Sequence, residues 1–176
     1  MLGFIGGTGP EGKGLALRFA ISGINVFIGS RREQRGIEAA EDLISRFDEI
    51  SADRVKGGTN ERAASDCEVA VICTPYSGHR ETLEGLKQNL TGKTVVDVVA
   101  PLSFQKGSIS AIDVEEGSAA EEAQLLLPDS NVVGAFQNVS AEDLLTPSKQ
   151  VTCDVIVCSN DQAAKEQVML LGERIP

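Results

Sequence analysis

Basic residues are scarce in this 176-residue chain: 16 Lys and Arg stand against 26 Asp and Glu, a formal net charge of −10. Nucleic acid and anionic membranes are both held by a basic footprint, so this balance argues against either as a partner. No apolar run approaches the ~18 residues that would cross a bilayer, and the hydrophobic content of 41% is ordinary for a soluble protein. Met1 leads almost directly into the apolar Leu2-Gly3-Phe4-Ile5, which leaves no room for a secretory leader. A cytoplasmic protein is the expectation. The four cysteines, Cys67, Cys73, Cys153 and Cys158, show no C-x-x-C spacing, which excludes the usual zinc and redox patterns and leaves buried thiols as the expectation. The single histidine, His79, follows Thr74-Pro75-Tyr76-Ser77-Gly78 near a helix start and reads as a surface or capping residue rather than an acid or base.

What is present is concentrated at the N-terminus. Gly6-Gly7-Thr8-Gly9-Pro10-Glu11-Gly12 contains G-x-G-x-x-G at Gly7, Gly9 and Gly12, preceded by an apolar strand pattern and followed by a helical one. That context is what a dinucleotide-binding turn requires. One glycine permits the tight turn, one lets the backbone approach a pyrophosphate, and one lets helix and strand pack closely. The helix N-terminus then offers free N–H groups and partial positive charge to the anion. Glu11 sets a carboxylate beside this turn, where like charge is unfavourable unless it points to solvent.

A second absence selects the cofactor. Sites for NAD carry an acid about 20 residues past the glycines to bind the ribose 2′-hydroxyl, and this chain has Ser30-Arg31-Arg32 there instead. A hydroxyl and two guanidinium groups suit a 2′-phosphate by charge and by geometry, so NADP is the expected cofactor. Residues 1–35 carry five basic and two acidic side chains, a local charge of +3 that leaves −13 on the remainder.

Periodicity assigns the rest. A helix carries Leu15, Ala16, Phe19 and Ala20 and closes at Gly23, with a strand at 25–28. A helix with Ile37, Ala40, Ile44 and Phe47 on one face precedes a short strand near Arg54 and Val55 and a brief helix at Ala63 and Ala64. Residues 68–73 and 94–99 read as strands buried on both faces, separated by a helix with Leu83, Leu86 and Leu90 that closes at Gly92. Residues 106–117 read as a loop. Ser118 to Glu121 forms a capping box that opens a helix ending before Pro128. Residues 131–136 and 153–158 are further strand candidates, and a last helix starts from Asp161 with Ala164, Val168 and Leu171 on one face. Alternation of strands and helices predicts an α/β, Rossmann-type doubly wound, mainly parallel sheet with helices on both faces, in a single domain over residues 1–176. Ligands in such sheets bind beyond the carboxyl ends of the strands, which nominates Thr74, Pro75 and Tyr76, then Ala100 to Leu102, then Gln137 and Asn138.

Together Ile5 to Arg18, Ile28 to Arg32, Gly117 to Ala123 and Val133 to Ser140 resemble the NADPH-dependent reductases of coenzyme F420, a deazaflavin, over nearly the whole chain. The resemblance implies direct hydride transfer between deazaflavin and nicotinamide, held face to face in one cleft. It implies that Gly7, Thr8, Gly9 and Gly12, with Pro10 and Glu11 in the same turn, hold the pyrophosphate and that Ser30, Arg31 and Arg32 hold the 2′-phosphate. Thr74 and Pro75 would border the nicotinamide, and Ala135, Phe136, Gln137 and Asn138 would lie near the deazaflavin. Family members continue past the position of Gly172 to Pro176 through a strand and helices that help close the cleft and the dimer, so the chain is expected to lack that extension, and a homodimer is what the resemblance implies. No catalytic acid or base is expected, because cofactor-to-cofactor hydride transfer needs positioning and electrostatics above all. Two other readings stand beside it. One is an NADP-dependent reductase of another small substrate, such as a hydroxyacid or imine, which ordinarily needs a proton donor on a further helical domain. The other is an NADPH-binding module without turnover.

Overall fold

Strand residues with successive side chains in opposite directions can be apolar throughout only if both faces are covered. In the computed structural model, which describes residues 1–175, β1 (Leu2–Ile5), β2 (Val26–Ser30), β4 (Val69–Ile72) and β5 (Thr94–Asp97) are buried at every position. They form a six-stranded, wholly parallel sheet of order β3-β2-β1-β4-β5-β8, with β3 (Val55–Thr59) and β8 (Asn131–Gly134) at the edges.

The pleat divides the core in two. Leu2, Phe4, Val26, Ile28, Val69, Val71, Val96 and Val133 face a layer containing α1 (Pro10–Ile21), α2 (Glu33–Arg46), α6 (Ala141–Leu144) and α7 (Gln162–Gly172). Ile5, Phe27, Ala70, Ile72, Val95 and Val132 face α3 (Asn60–Asp66), α4 (His79–Leu90) and α5 (Ala119–Leu126). Each fully buried Val, Leu or Phe contributes about 1.5–3 kcal/mol relative to exposure. This is the expected doubly wound α/β architecture.

Helix starts follow local chemistry. Thr59, Ser118, Ser140 and Asp161 cap α3, α5, α6 and α7 with side-chain oxygens. At α5 the Ser118 hydroxyl also donates to Glu121 Oε2 at 2.8 Å, a variant of the expected capping box. Gly23 and Gly92, at φ of +87° and +75°, sit where helical segments end.

Three expectations are corrected. Residues 106–117 are not all loop, because Ser108–Ala111 (β7) pairs antiparallel with Leu102–Gln105 (β6) in a hairpin turned at Lys106-Gly107. The hairpin stands apart from the main sheet and is largely exposed, so no burial pattern announced it. Residues 153–158 form no strand. Val155 and Val157 pack against the core, which produced the alternation, but the segment makes only the isolated bridge Gly134–Cys158. The strands expected to run to Val99 and Phe136 stop at Asp97 and Gly134. The chain leaves the sheet there while remaining buried, and Phe136 takes a φ of +69°.

Sequential strands run outward from β1 to β2 and β3, then return to the other side of β1 for β4, β5 and β8. The crevice between β1 and β4 is therefore the topological switch point of the sheet.

Candidate functional site

The turn between β1 and α1 lies at that switch point. Gly6 adopts φ +69°, and a Cβ there would come within 2.7 Å of Thr74 Cγ2. Gly7 donates to the Gly29 carbonyl at 3.0 Å, which ties the turn to β2. A Cβ on Gly12 would come within 2.6 Å of Gly7 Cα, so these two glycines let α1 start directly against the turn. Gly9 differs, since nothing lies within 4 Å of where its Cβ would stand. It is the N-cap of α1 and provides no side-chain cap, which leaves N–H groups of the first turn for an anion. Asn60 holds the turn from beneath, its Oδ1 accepting from Gly6 N–H at 2.9 Å.

A cavity of about 1580 Å³ opens over this turn. Thr8, Gly9, Pro10, Glu11 and Gly12 line it, Gly7 being packed behind them. At one end stand Ser30, Arg31 and Arg32, with the two arginines exposed and Ser30 only 7% exposed. Arg35, in the first turn of α2, joins them. Three guanidinium groups and a hydroxyl at one end, and a bare helix N-terminus in the middle, fit a dinucleotide carrying a third phosphate.

At the other end Thr74, Pro75 and Tyr76, after β4, line one wall, and Val98, Val99 and Ala100, after the neighbouring β5, the adjoining one. The Glu11 carboxyl does not meet the condition of facing solvent, since its Oε1 is buried. Burial pushes its carboxyl up to about 7. Glu11 Oε1 and Thr74 Oγ1 both lack a hydrogen-bond partner among the described residues. Buried polar atoms are otherwise almost always bonded, so this pair offers a ligand a donor and acceptor in the cleft. Leu102, Phe104 and Ile112 bring apolar side chains from the hairpin region to the same cavity.

Ala135, Phe136, Gln137 and Asn138 are not among the cavity's lining residues. Ala135 and Phe136 are buried, and the Phe136 ring meets Phe19 edge-on at 6.3 Å beneath the sheet. Gln137 donates from Nε2 to the Asp97 carbonyl at 2.9 Å, and Asn138 donates to the Asp154 carbonyl.

Two further expectations are overturned. His79 is neither at the surface nor a cap but wholly buried, with Nε2 2.6 Å from Asp97 Oδ2. Cys67 is buried as expected and Cys73 half-buried, its thiol pushed up by burial, yet Cys153 and Cys158 are exposed because their segment has no strand ladder. Sequence reasoning also missed Gly6, Asn60, Arg35 and the hairpin as parts of the site. Arg35 could have been found, since it follows Arg31 and Arg32 by one helical turn. Asn60 carries no local signal.

The sequence pattern of the family described as NADP oxidoreductase, coenzyme F420-dependent, matches residues 1–101. The F420-dependent NADP reductase of Methanothermobacter marburgensis is 37% identical over 177 residues, covering 97% of this chain and 78% of that protein. The protein of the same name from Methanocaldococcus jannaschii is 38% identical over 178 residues, covering 99% of this chain and 79% of its own length. A crystal structure from Arthrobacter sp. FB24 has a TM-score of 0.80 at 27% identity, over 98% of this chain and 80% of that one. By sequence and by fold, the chain belongs to the coenzyme F420-dependent NADP oxidoreductase family.

Proposed function

We propose that this protein transfers a hydride between NADP(H) and the deazaflavin coenzyme F420, with both held in the cavity beyond the carboxyl ends of β1, β4 and β5. The observation that carries the reading is the convergence of Ser30, Arg31, Arg32 and Arg35 with the bare N-terminus of α1 on one cavity. Its volume of about 1580 Å³ exceeds the roughly 300–1,000 Å³ of ordinary single-ligand sites, as two cofactors would require.

The nicotinamide and the deazaflavin supply the hydride chemistry themselves. The chain's task is to bind, orient and desolvate. Arg31, Arg32 and Arg35 hold the 2′-phosphate, the backbone of Thr8 to Gly12 at the α1 N-terminus holds the pyrophosphate with the Glu11 carboxyl beside it, and Thr74 bonds the polar substituent of the nicotinamide. Val98, Val99, Leu102 and Phe104 form an apolar wall for the deazaflavin, a role the resemblance had assigned to Ala135 to Asn138. The same reading takes residues 1–176 as one NADP-binding domain, acting in the cytoplasm and pairing with a second copy through exposed Leu125, Ile156, Met169 and Leu170 around β8.

The test is loss of deazaflavin absorbance when the protein is mixed with NADPH and oxidised F420, with NADH as control. Turnover with NADPH is expected; NADPH binding without turnover would make the chain a binding module. In Arg31→Ala/Arg32→Ala, two charge-assisted contacts of about 1.5–3 kcal/mol each are lost, so NADPH affinity falls at least tenfold while NADH affinity stays within about twofold. Equal loss for both nucleotides would remove the 2′-phosphate assignment.

A further inference from the structure

His79 is the chain's one histidine, and no part of it reaches solvent. Asp97 at the end of β5 meets its Nε2 at 2.6 Å, and Glu122 on α5 stands with Oε2 3.6 Å from its Nδ1, within ion-pair range but too long for a hydrogen bond. Tyr76 stacks on the imidazole with ring centroids 5.9 Å apart. Arg80, on α4 beside His79, turns outward to Glu122 Oε1 at 3.0 Å and to Glu116 Oε1 at 2.7 Å. The Cys73 thiol at the end of β4 also faces the Asp97 charge. Two buried carboxylates therefore meet one imidazole and one half-exposed guanidinium.

A neutral imidazole would leave excess negative charge in this interior, which burial strongly disfavours. Burial alone pulls the imidazole toward its neutral form, but the hydrogen bond and charge of Asp97, joined by Glu122, outweigh it and raise its pKa. The cluster also has a place in the site. Tyr76, Ser77 and Gly78, just before His79, line one wall of the cavity, and Val98, Val99 and Ala100, just after Asp97, line the adjoining one, because they follow the neighbouring strands β4 and β5. The second oxygen of Asp97 accepts from Val99 N–H at 2.8 Å. One carboxylate thus anchors both walls.

We propose that His79 is a positioning residue, an imidazolium bonded to Asp97 and facing Glu122 that fixes the spacing of the two walls and so the approach of the two rings. This rests on the reductase reading for its consequence in catalysis, though the tie between the walls does not. A misplacement of 1 Å can cost as much as about 100-fold in rate, so a tie of this kind controls turnover more than binding. Because the folded imidazole is raised above its ordinary 6.5, the charge-assisted part of the tie is complete below that value and is lost as pH rises through the folded one, leaving the hydrogen bond that a neutral imidazole with its proton on Nε2 still donates to Asp97.

A single imidazole makes the test direct. Nitrogen NMR of the wild-type protein labelled at histidine is expected to show an imidazolium that keeps its proton to higher pH than the ordinary 6.5. Protection of the amides in 74–78 and 98–100, taken relative to the intrinsic exchange rate at each pH, should fall over the range in which that proton is lost. In Asp97→Asn the imidazole should lose its proton at lower pH and both segments should exchange faster at pH 7. Under the same conditions kcat with NADPH and F420 should fall about tenfold or more, with the NADPH KM moving less than about twofold, because the phosphate end is untouched. In the wild type kcat should fall as pH rises through the folded value of His79, and His79→Gln should behave like Asp97→Asn and lose that fall. An imidazole that loses its proton at or below its ordinary 6.5 in the wild type, or wall protection indifferent to the histidine titration and to Asp97→Asn, overturns the proposal. Absence of F420 turnover in the wild type would fail the reductase reading alone, and the NMR and exchange results would still decide the tie.

Discussion

Glu11 has the same side-chain chemistry as the exposed acids of this protein and a different behaviour, because its carboxyl is buried beside a turn that reads as a phosphate site. Its pKa, raised from 4.5 to about 7 by burial, means the folded protein holds a proton there that the unfolded chain releases. Stability is therefore expected to fall as pH rises from about 4.5 to about 7 and then level off. NADPH affinity should weaken as Glu11 ionises next to the phosphates, and in Glu11→Gln that dependence should flatten, as isothermal titration across pH 6–8 would show. At this scale the sequence was most legible where a residue's role is set by its neighbours in the chain. The glycine turn and Ser30-Arg31-Arg32 stood out for that reason, whereas the burial of the Glu11 carboxyl was not legible and His79 was misread, because burial is imposed by elements far away in sequence.

Among the elements, α6 has four residues and holds its place through a side chain from another helix. Arg18 on α1 is fully buried and donates to the carbonyls of Asp143, Leu144, Thr146 and Lys149 at 2.6–2.9 Å. Arg18→Met would keep the apolar stem but strand several carbonyls, so a loss of about 3 kcal/mol or more in urea unfolding is expected. The β6–β7 hairpin is the opposite case, since its residues contribute little to the core. Phe104 is 73% exposed and lines the cavity. Phe104→Ala should leave the unfolding midpoint nearly unchanged and raise the F420 KM several-fold, and an unchanged KM would remove Phe104 from the deazaflavin wall. Strands buried on both faces and capped helices were legible because burial and capping leave periodic and local marks. The hairpin and the segment at 153–158 were not: exposed strands carry no burial alternation, and alternation without a ladder partner makes no strand.

For the molecule as a whole, reversal of strand order at β1 and β4 brings the glycine turn, the arginines, the loop after β4 and the loop after β5 to one end of the sheet. Binding at that junction ties together both halves of the fold. NADPH at 100 times its Kd should add about 2.7 kcal/mol to stability and raise the melting temperature, while NADH at the same concentration should do much less. Equal shifts from the two would place the binding energy outside the arginine end. Among the described residues no helix is long and apolar enough to cross a membrane.

The sequence by itself determined the parallel α/β layering and the glycine turn between β1 and α1, and it holds the Ser30-Arg31-Arg32 run on which the proposed 2′-phosphate site rests. Each depends on residues within one turn, one helix or one strand, where spacing translates directly into geometry. Only the tertiary structure decided which side chains lose their water. It placed Asn60 under the turn, buried Glu11, set His79 between Asp97 and Glu122 from three separate elements, and took Phe136 into the core rather than the cleft. Burial and charge pairing are properties of contacts between distant segments, and those exist only once the sheet has brought its carboxyl ends together.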